Sequence, residues 1–335
     1  MSSQRQIKII QIGLGPIGQK ITKYIVERKG IEIVAVVDPA VDKAGKNLSE
    51  LCSLDKDLGI KVLPDIGLAM QDNKPDVALL TTFSSLEKII PQVEEIAKYG
   101  VNIVSTCEEL SFPWDTQPEL AKKLDEIAKA NNISLLGTGV NPGFLMDFLP
   151  IVLSGVCQQV KQMRVSRIQD AITRRIPFQK KIGVGLTLEE FEEKRRTGTL
   201  RHVGLTESMH MIARKIGWRL EKTEDILTPV VAESEVSIGD MRIKPGMALG
   251  VQQTGKGYFN GEEVITLIFR ASAGEKNPAD TIEIKGIPDI TCRIPGGING
   301  DIATCAITIN AISSITGLSG GLKTMADIPV VSFWQ

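Results

Sequence analysis

The first residues that could do chemistry are Gly13-Leu14-Gly15-Pro16-Ile17-Gly18, a G-x-G-x-x-G run. Alone the string is weak, but it follows a strand-like stretch from Ile7 to Ile12 and opens a stretch of helical spacing from Ile17 to Arg28. In that setting Gly13 permits a sharp turn, Gly15 lets backbone approach a pyrophosphate, and Gly18 lets helix and strand pack closely. Pro16 suits a first helical turn, Ile17 follows it, and the helix N-terminus offers unpaired N–H groups to phosphate. Asp38 comes twenty residues after Gly18, at the end of a second strand-like stretch. An acid there accepts hydrogen bonds from both ribose hydroxyls and repels a 2′-phosphate, so NAD is favoured over NADP; Lys43 and Lys46 soften that preference. A helix N-cap is the lesser alternative for Asp38, after the ribose role.

Ser105-Thr106-Cys107-Glu108-Glu109-Leu110 places two carboxylates side by side after a short apolar run. If that run is a strand of the same sheet, Glu108 and Glu109 are candidates for general acid–base work. Adjacent side chains diverge, so one acid faces the cleft and the other faces solvent or a partner; the plainer alternative for the pair is a solvated loop carboxylate or an N-cap of the following segment. Thr81 and Thr82 end another apolar run; they either border the nicotinamide half of the cofactor or cap the next helix.

The elements that would position these groups follow from periodicity. Strand-like runs at 7–12, 32–37, 61–63, 76–80, 101–105 and 133–136 alternate with helical stretches, including 86–99 and about 117–131. That alternation predicts a doubly wound (Rossmann) parallel sheet in the order 3-2-1-4-5-6. After Gly143 the pattern changes. Apolar–polar alternation at 163–168, 226–232 and 264–269, with turn signals at Asn260-Gly261 and Lys244-Pro245-Gly246, predicts an α+β domain with a mostly antiparallel sheet and one or two helices. The expected division is 1–145 for the dinucleotide domain, 146–299 for substrate binding and dimerisation, and 300–335 for a helix and tail returning to the first domain.

Composition narrows the classes. The 39 basic and 40 acidic side chains nearly cancel, giving a formal charge of -1, which argues against nucleic acid. Two basic runs, 172–175 and 194–196, read as local features; acids flank the second, as on a solvated helix face. No signal-peptide core or membrane-length apolar stretch occurs, so a cytoplasmic protein is expected. Five scattered cysteines and only two histidines fit neither a disulfide framework nor a zinc site, and no metal is expected.

The chain resembles the 2,4-diaminopentanoate dehydrogenase and native amine dehydrogenase family, relatives of dihydrodipicolinate reductase. The resemblance runs through the glycine turn, Ser105 to Pro113, Gly137 to Asp147 (G-T-G-V-N-P-G-F-L-M-D) and Asn299 to Pro329. It implies reversible oxidative deamination: an amine, NAD(P)⁺ and water give a ketone, ammonia and NAD(P)H, the amine being 2,4-diaminopentanoate in ornithine degradation. The family's catalytic glutamate matches the acidic pair, Glu108 being chosen over Glu109. Asn141 would position the reacting nitrogen or the nicotinamide amide, or else simply shape the turn before Pro142. A substrate with a carboxylate and a second amine wants a cation and an acceptor, for which Arg167 and His202 are the carboxylate candidates and Asp170 the acceptor. The resemblance also implies a homodimer.

Rival chemistries leave marks that can be sought. A dihydrodipicolinate-type C=N reductase would carry paired histidines, and none occur together here. A thiolate dehydrogenase would use Cys107, yet two acids follow it, which disfavours ionisation. A non-catalytic NAD(H)-responsive regulator would usually carry a DNA-binding segment, and neither charge nor pattern supplies one.

Overall fold

A computed structural model describes residues 5–172, 176–239 and 241–334; of the basic run 172–175, Thr173, Arg174 and Arg175 lie outside them. The chain divides into two compact units, Met1–Phe144 with Asn299–Gln335, and Leu145–Ile298.

The first unit begins with β1 (Ile7–Ile12), whose Ile9, Ile10 and Ile12 are buried, as a central parallel strand covered on both faces requires. There follow α1 (Pro16–Val26), β2 (Ile31–Val37), α2 (Leu48–Leu51), α3 (Ile66–Gln71), β3 (Val77–Leu80), α4 (Leu86–Ala97) and β4 (Asn102–Ser105). A 3-10 turn at Glu108–Ser111 precedes α5 (Pro118–Ala130) and β5 (Ser134–Gly137). Neighbouring strands are parallel in the order β5-β4-β3-β1-β2. Their carboxyl ends therefore share one rim, from which the glycine turn, Asp38, Thr81, the acidic pair and Asn141 all arise. The run at 61–63, expected as a short third strand, meets β2 through a single Val37–Leu63 bridge. Pro64 follows at once, and Asp65 already caps α3 by accepting from Leu68 N, so the ladder has no room to extend.

The second unit contains α6 (Phe148–Ser154), β6 (Gln159–Asp170), α7 (Ile176–Lys181), α8 (Leu188–Arg196), α9 (Leu205–Ile216) and β7 (Lys222–Val231). A small hairpin of β8 (Val236–Ile238) and β9 (Met241–Ile243) precedes β10 (Ala248–Phe259), β11 (Glu262–Ser272), β12 (Ala279–Ile287) and β13 (Ile290–Pro295). The large sheet runs β13-β12-β6-β11-β10-β7, with β6–β11 its one parallel pairing and the rest antiparallel. Asn260 and Gly261 take positive φ (53° and 77°), which makes the two-residue turn between β10 and β11. Four helices, rather than one or two, occur among the described residues of this unit. α8 is charged on nearly every side and buries only Phe191, so it carries little apolar periodicity; it forms because Thr187 and Glu190 close a capping box.

One row across this sheet, Gln253–Phe269–Arg167–Asp280, is polar at three of four places and turned inward. Arg167 and Asp280 pair at 3.4 Å with side chains only 2% and 4% exposed. Together they hold Ile298, the unit's last residue: Arg167 Nη2 donates to its carbonyl at 2.8 Å, and its N–H donates to Asp280 Oδ2 at 2.8 Å. Burial pushes the Asp280 carboxyl up, while Arg167 and the Ile298 N–H pull the other way.

The chain then re-enters the first unit. α10 (Gly300–Ile315), capped by the Asn299 side chain, packs against α1, with Cys305 Sγ 3.8 Å from Ile17 O. β14 (Gly321–Lys323) adds to β5 in parallel and becomes the sixth strand of the first sheet. Periodicity does not reveal β14, since three residues beginning with glycine carry no alternation.

A buried ion pair that loses one partner leaves the other charge desolvated. Arg167→Met should therefore lower the free energy of urea unfolding by about 3–5 kcal/mol, and Arg167→Met with Asp280→Leu should recover most of that loss. A single variant as stable as the parent would show the pair to be idle.

Candidate active site

Each loop on the rim continues the ladder by one bond before it departs. Gly13 N donates to Val37 O (2.8 Å), Thr81 N to Ile12 O (2.9 Å), Thr106 N to Leu80 O (3.1 Å) and Thr138 N to Ser105 O (2.8 Å). The acidic turn on β4 thus stands two strands from the glycine turn on β1, or about 10 Å at ordinary strand spacing.

The glycine turn is built by backbone contact. Gly13 has φ +90°, and a Cβ there would lie 2.8 Å from Thr81 O. A Cβ at Gly18 would lie 2.0 Å from Gly13 O, so α1 sits on the turn only because position 18 has no side chain. Gly15 is the opposite: a Cβ would meet nothing within 4 Å. Gly15 is also the N-cap of α1 and supplies no side-chain cap, with Pro16 next, so the first-turn N–H groups are left for a ligand. These residues fit the pyrophosphate of a dinucleotide.

Gln11 and Thr81 brace the turn from below. Gln11, fully buried on β1, donates Nε2 to Gly13 O (2.9 Å) and Thr81 Oγ1 (2.8 Å), and Thr81 Oγ1 lies 2.9 Å from Gly13 O. Thr81 therefore fixes the turn rather than capping the next helix. Thr82 Oγ1 donates to Gln92 Oε1 at 2.6 Å, along α4. Gln11 escaped the sequence reading; one polar residue inside the apolar run Ile7–Ile12 was its signal.

Asp38 ends β2 almost buried. Its Oδ2 accepts from Leu14 N (2.8 Å) and Lys43 Nζ (2.9 Å), and its Oδ1 from Ala40 N (3.0 Å). Burial works against ionisation, but Lys43 and the two backbone N–H groups outweigh it and hold the carboxyl below its ordinary value. The charge of Lys43 sits directly on the acid expected to repel a 2′-phosphate.

The two glutamates have different surroundings. Glu109 Oε2 accepts from Leu86 N at 2.9 Å and from Gln117 Nε2 at 2.9 Å. It thereby caps α4, whose own N-cap residue Ser85 makes no side-chain bond. Glu108, half-buried at the start of the 3-10 turn, has a carboxylate with no hydrogen-bond or ion-pair partner among the described residues. Burial, then the neighbouring Glu108 and Glu109 charges, push the Cys107 thiol well up, so this buried cysteine packs and is no nucleophile. Asn141 lies in the loop after β5, next to Val140, whose N–H reaches Thr304 Oγ1 on α10 at 3.2 Å.

Three expectations in the second unit are corrected. Arg167 is not an accessible cation awaiting a carboxylate: it is buried, and Asp280 and the Ile298 carbonyl take its guanidinium. His202 is not a cation either. Burial, then the charge of Lys181, bring its pKa down to about 4, and Nδ1 donates to Val203 O at 2.8 Å while the ring packs on Phe269. Asp170, the expected acceptor for a second amine, instead caps backbone N–H groups of Ile172 (3.1 Å) and Gly274 (2.9 Å). Among the described residues no cluster of His, Cys, Asp and Glu could hold a metal, and no helix is long and apolar enough to cross a membrane.

A glycine turn shaped for pyrophosphate and an unpartnered carboxylate on one rim define a Rossmann-type, NAD(P)-dependent dehydrogenase. Comparison with known proteins specifies the kind. Residues 144–335 match the 2,4-diaminopentanoate dehydrogenase C-terminal domain. The 2,4-diaminopentanoate dehydrogenase of Acetoanaerobium sticklandii is 32% identical over 340 residues, covering 97% of this chain and 94% of that protein. An amine dehydrogenase of Streptomyces virginiae is 21% identical over 97% of this chain and 96% of its own length. The solved structure of an amine dehydrogenase from Mycobacterium smegmatis matches with a TM-score of 0.85 at 21% identity, covering 98% and 97% of the two chains, and shows the shared fold. The chain belongs to the 2,4-diaminopentanoate dehydrogenase family and is an NAD(P)-dependent amine dehydrogenase.

The low His202 pKa has a measurable consequence. An unfolded histidine takes up its proton near pH 6.5, whereas His202 in the folded protein stays neutral down to about 4. The unfolded state binds more protons across that window, so stability is full above pH 6.5 and falls as pH drops toward 4. His202→Gln should flatten the fall in the urea midpoint over this range; an unchanged pH profile would contradict the neutral, buried imidazole.

Proposed function

We propose that the protein catalyses the reversible oxidative deamination of 2,4-diaminopentanoate to 2-amino-4-oxopentanoate and ammonia, with Glu108 as the acid–base group. The observation carrying this reading is the unequal fate of the pair: Glu109 is bound into the start of α4, while Glu108 keeps a carboxylate without a protein partner. Support for the substrate comes from the 32% identical relative that bears its name. When bound, NAD(P)⁺ supplies the acceptor for hydride leaving the amine-bearing carbon. Glu108 takes a proton from the substrate ammonium, and the resulting free amine stabilises the carbon that loses hydride. Once that proton has passed to solvent, the same carboxylate takes another from the water that adds to the iminium and returns it to the departing nitrogen. Asn141, in the loop after the neighbouring strand β5, holds the reacting nitrogen or the nicotinamide amide.

The cofactor reading is that NAD is favoured through Asp38, and that Lys43 moderates the preference by offsetting its charge. Assembly is proposed as a homodimer in the cytoplasm. α6 and α9 cover one face of the large sheet, and the other presents partly exposed Ser166, Ile168, Thr254 and Ile226, a surface suited to a second copy.

Glu108→Gln should lower kcat by at least 10³-fold for 2,4-diaminopentanoate with NAD⁺, with NADH affinity within a few fold, because carboxamide keeps the shape and loses the base. Loss confined to Glu109→Gln would transfer the role; a fully active Glu108→Gln would remove it. For the cofactor, Lys43→Ala should raise the NAD-over-NADP ratio of kcat/KM about tenfold, roughly 1.4 kcal/mol, and Asp38→Ala should lower it. Ratios unmoved in both variants would reject the roles given to the pair.

A further inference from the structure

We infer that Gly137, at the carboxyl end of β5, is a positioning residue for the Glu108 carboxylate: its missing side chain sets the depth at which the acidic turn lies on the sheet. The inference rests on the role proposed for Glu108.

Gly137 is the last residue of a four-residue strand whose members are all buried, a place that ordinarily takes a β-branched or aliphatic side chain. Its backbone does not require glycine, since its φ is not among the positive values. Space does. A Cβ at this position would lie 2.5 Å from Leu110 C, 2.7 Å from Leu110 O and 2.8 Å from Ser111 N. All three are backbone atoms of the 3-10 turn that starts with Glu108, and backbone cannot swing aside as a flexible side-chain end does. Glycine inside a strand commonly marks such a close approach.

The turn is held on its other sides as well. Leu110 N donates to Cys107 O at 3.1 Å, Ser111 Oγ donates to Glu108 O at 2.8 Å, and Cys107 N donates to Ser105 Oγ at 3.1 Å. Leu110 is buried, and the Glu109 carboxylate ties the turn to Leu86 N and Gln117. A short rigid segment anchored this way cannot absorb a methyl group by one local bond rotation. Moving a contact from 2.5 Å to ordinary van der Waals separation shifts the turn by about 1 Å, and Glu108 moves with it. A misplacement of that size at a reacting group costs on the order of 10²-fold in rate.

The test is a double-mutant cycle on the full-length enzyme, with NADH affinity measured alongside. Gly137→Ala should lower kcat on 2,4-diaminopentanoate about 100-fold with the NADH Kd within threefold, because the glycine turn on β1 lies three strands from β5 along the rim. In the Glu108→Gln background, residual turnover followed over hours should fall less than threefold on adding Gly137→Ala, since no carboxylate remains to be misplaced. Equal losses in both backgrounds, or a weakened NADH Kd, would assign Gly137 to general structure and overturn the inference. A Gly137→Ala chain that does not fold assigns Gly137 to general structure and likewise overturns the inference. Failure of the underlying reading looks different. A fully active Glu108→Gln removes the acid–base role itself, whereas an inactive Glu108→Gln beside a fully active Gly137→Ala defeats only the positioning role.

Discussion

The site depends on backbone meeting backbone at distances that no side chain would allow. At Gly18 the N-terminal turn of α1 lies against the Gly13 carbonyl, and at Gly137 the acidic turn lies against β5. Both contacts sit on one rim of one parallel sheet, where successive strand ends are about 5 Å apart. Pitch along the rim is therefore set by the hydrogen-bond ladder, and height above it by the two glycines. The ladder alone would bring a phosphate turn and an acid near each other. The close approaches decide where each reactive group stands, and they do so with rigid peptide units rather than rotatable side chains.

The first unit was largely legible because its signals are local. Buried β-branched runs, helical spacing and a glycine turn all lie within windows of a dozen residues, and the observed strand order follows from them. What escaped were the pieces whose structure is settled by distant partners. The run at 61–63 is stopped by Pro64 and by the cap on α3, so it contributes one bridge to β2. β14 lies nearly two hundred residues from β5, its only neighbour in the ladder, and three residues cannot announce such a pairing. In the second unit α8 is stabilised by its capping box and its charges more than by an apolar stripe, and a search for periodicity passes over it.

Site residues divide along the same line. The glycines were legible because their requirement is conformational and belongs to the motif itself. Arg167 and His202 were misread because burial decides whether a charge is present and what is left for it to bind. Arg167 sits opposite Asp280 on the neighbouring strand, a register that only the folded sheet creates, and its charge is consumed in holding Ile298. His202 loses its proton because its surroundings are apolar and Lys181 is near. Neither fact can be read from spacing, since each depends on segments far apart in the chain. Gln11 and Gly137 are the converse case. Each breaks the pattern of a buried strand, and each such break marks a place where the strand does something other than pack.

The division of labour between Glu108 and Glu109 follows from the geometry of the turn that carries them. A 3-10 helix has three residues per turn, so consecutive side chains leave its axis about 120° apart and cannot converge on one target. One of the two directions meets the N-terminus of α4, where Ser85 makes no side-chain cap and the Leu86 N–H needs an acceptor. A carboxylate is the best available partner there, because the unpaired N–H and the helix dipole both favour negative charge. Glu109 is drawn into that place, and Gln117 secures it from the far side. Glu108 is then committed to a different direction, and its carboxylate meets no cation or N–H group among the described residues. A single glutamate in this turn would face a choice between capping the helix and doing chemistry. Two adjacent glutamates remove the competition, and the helix that captures one of them is what keeps the other free.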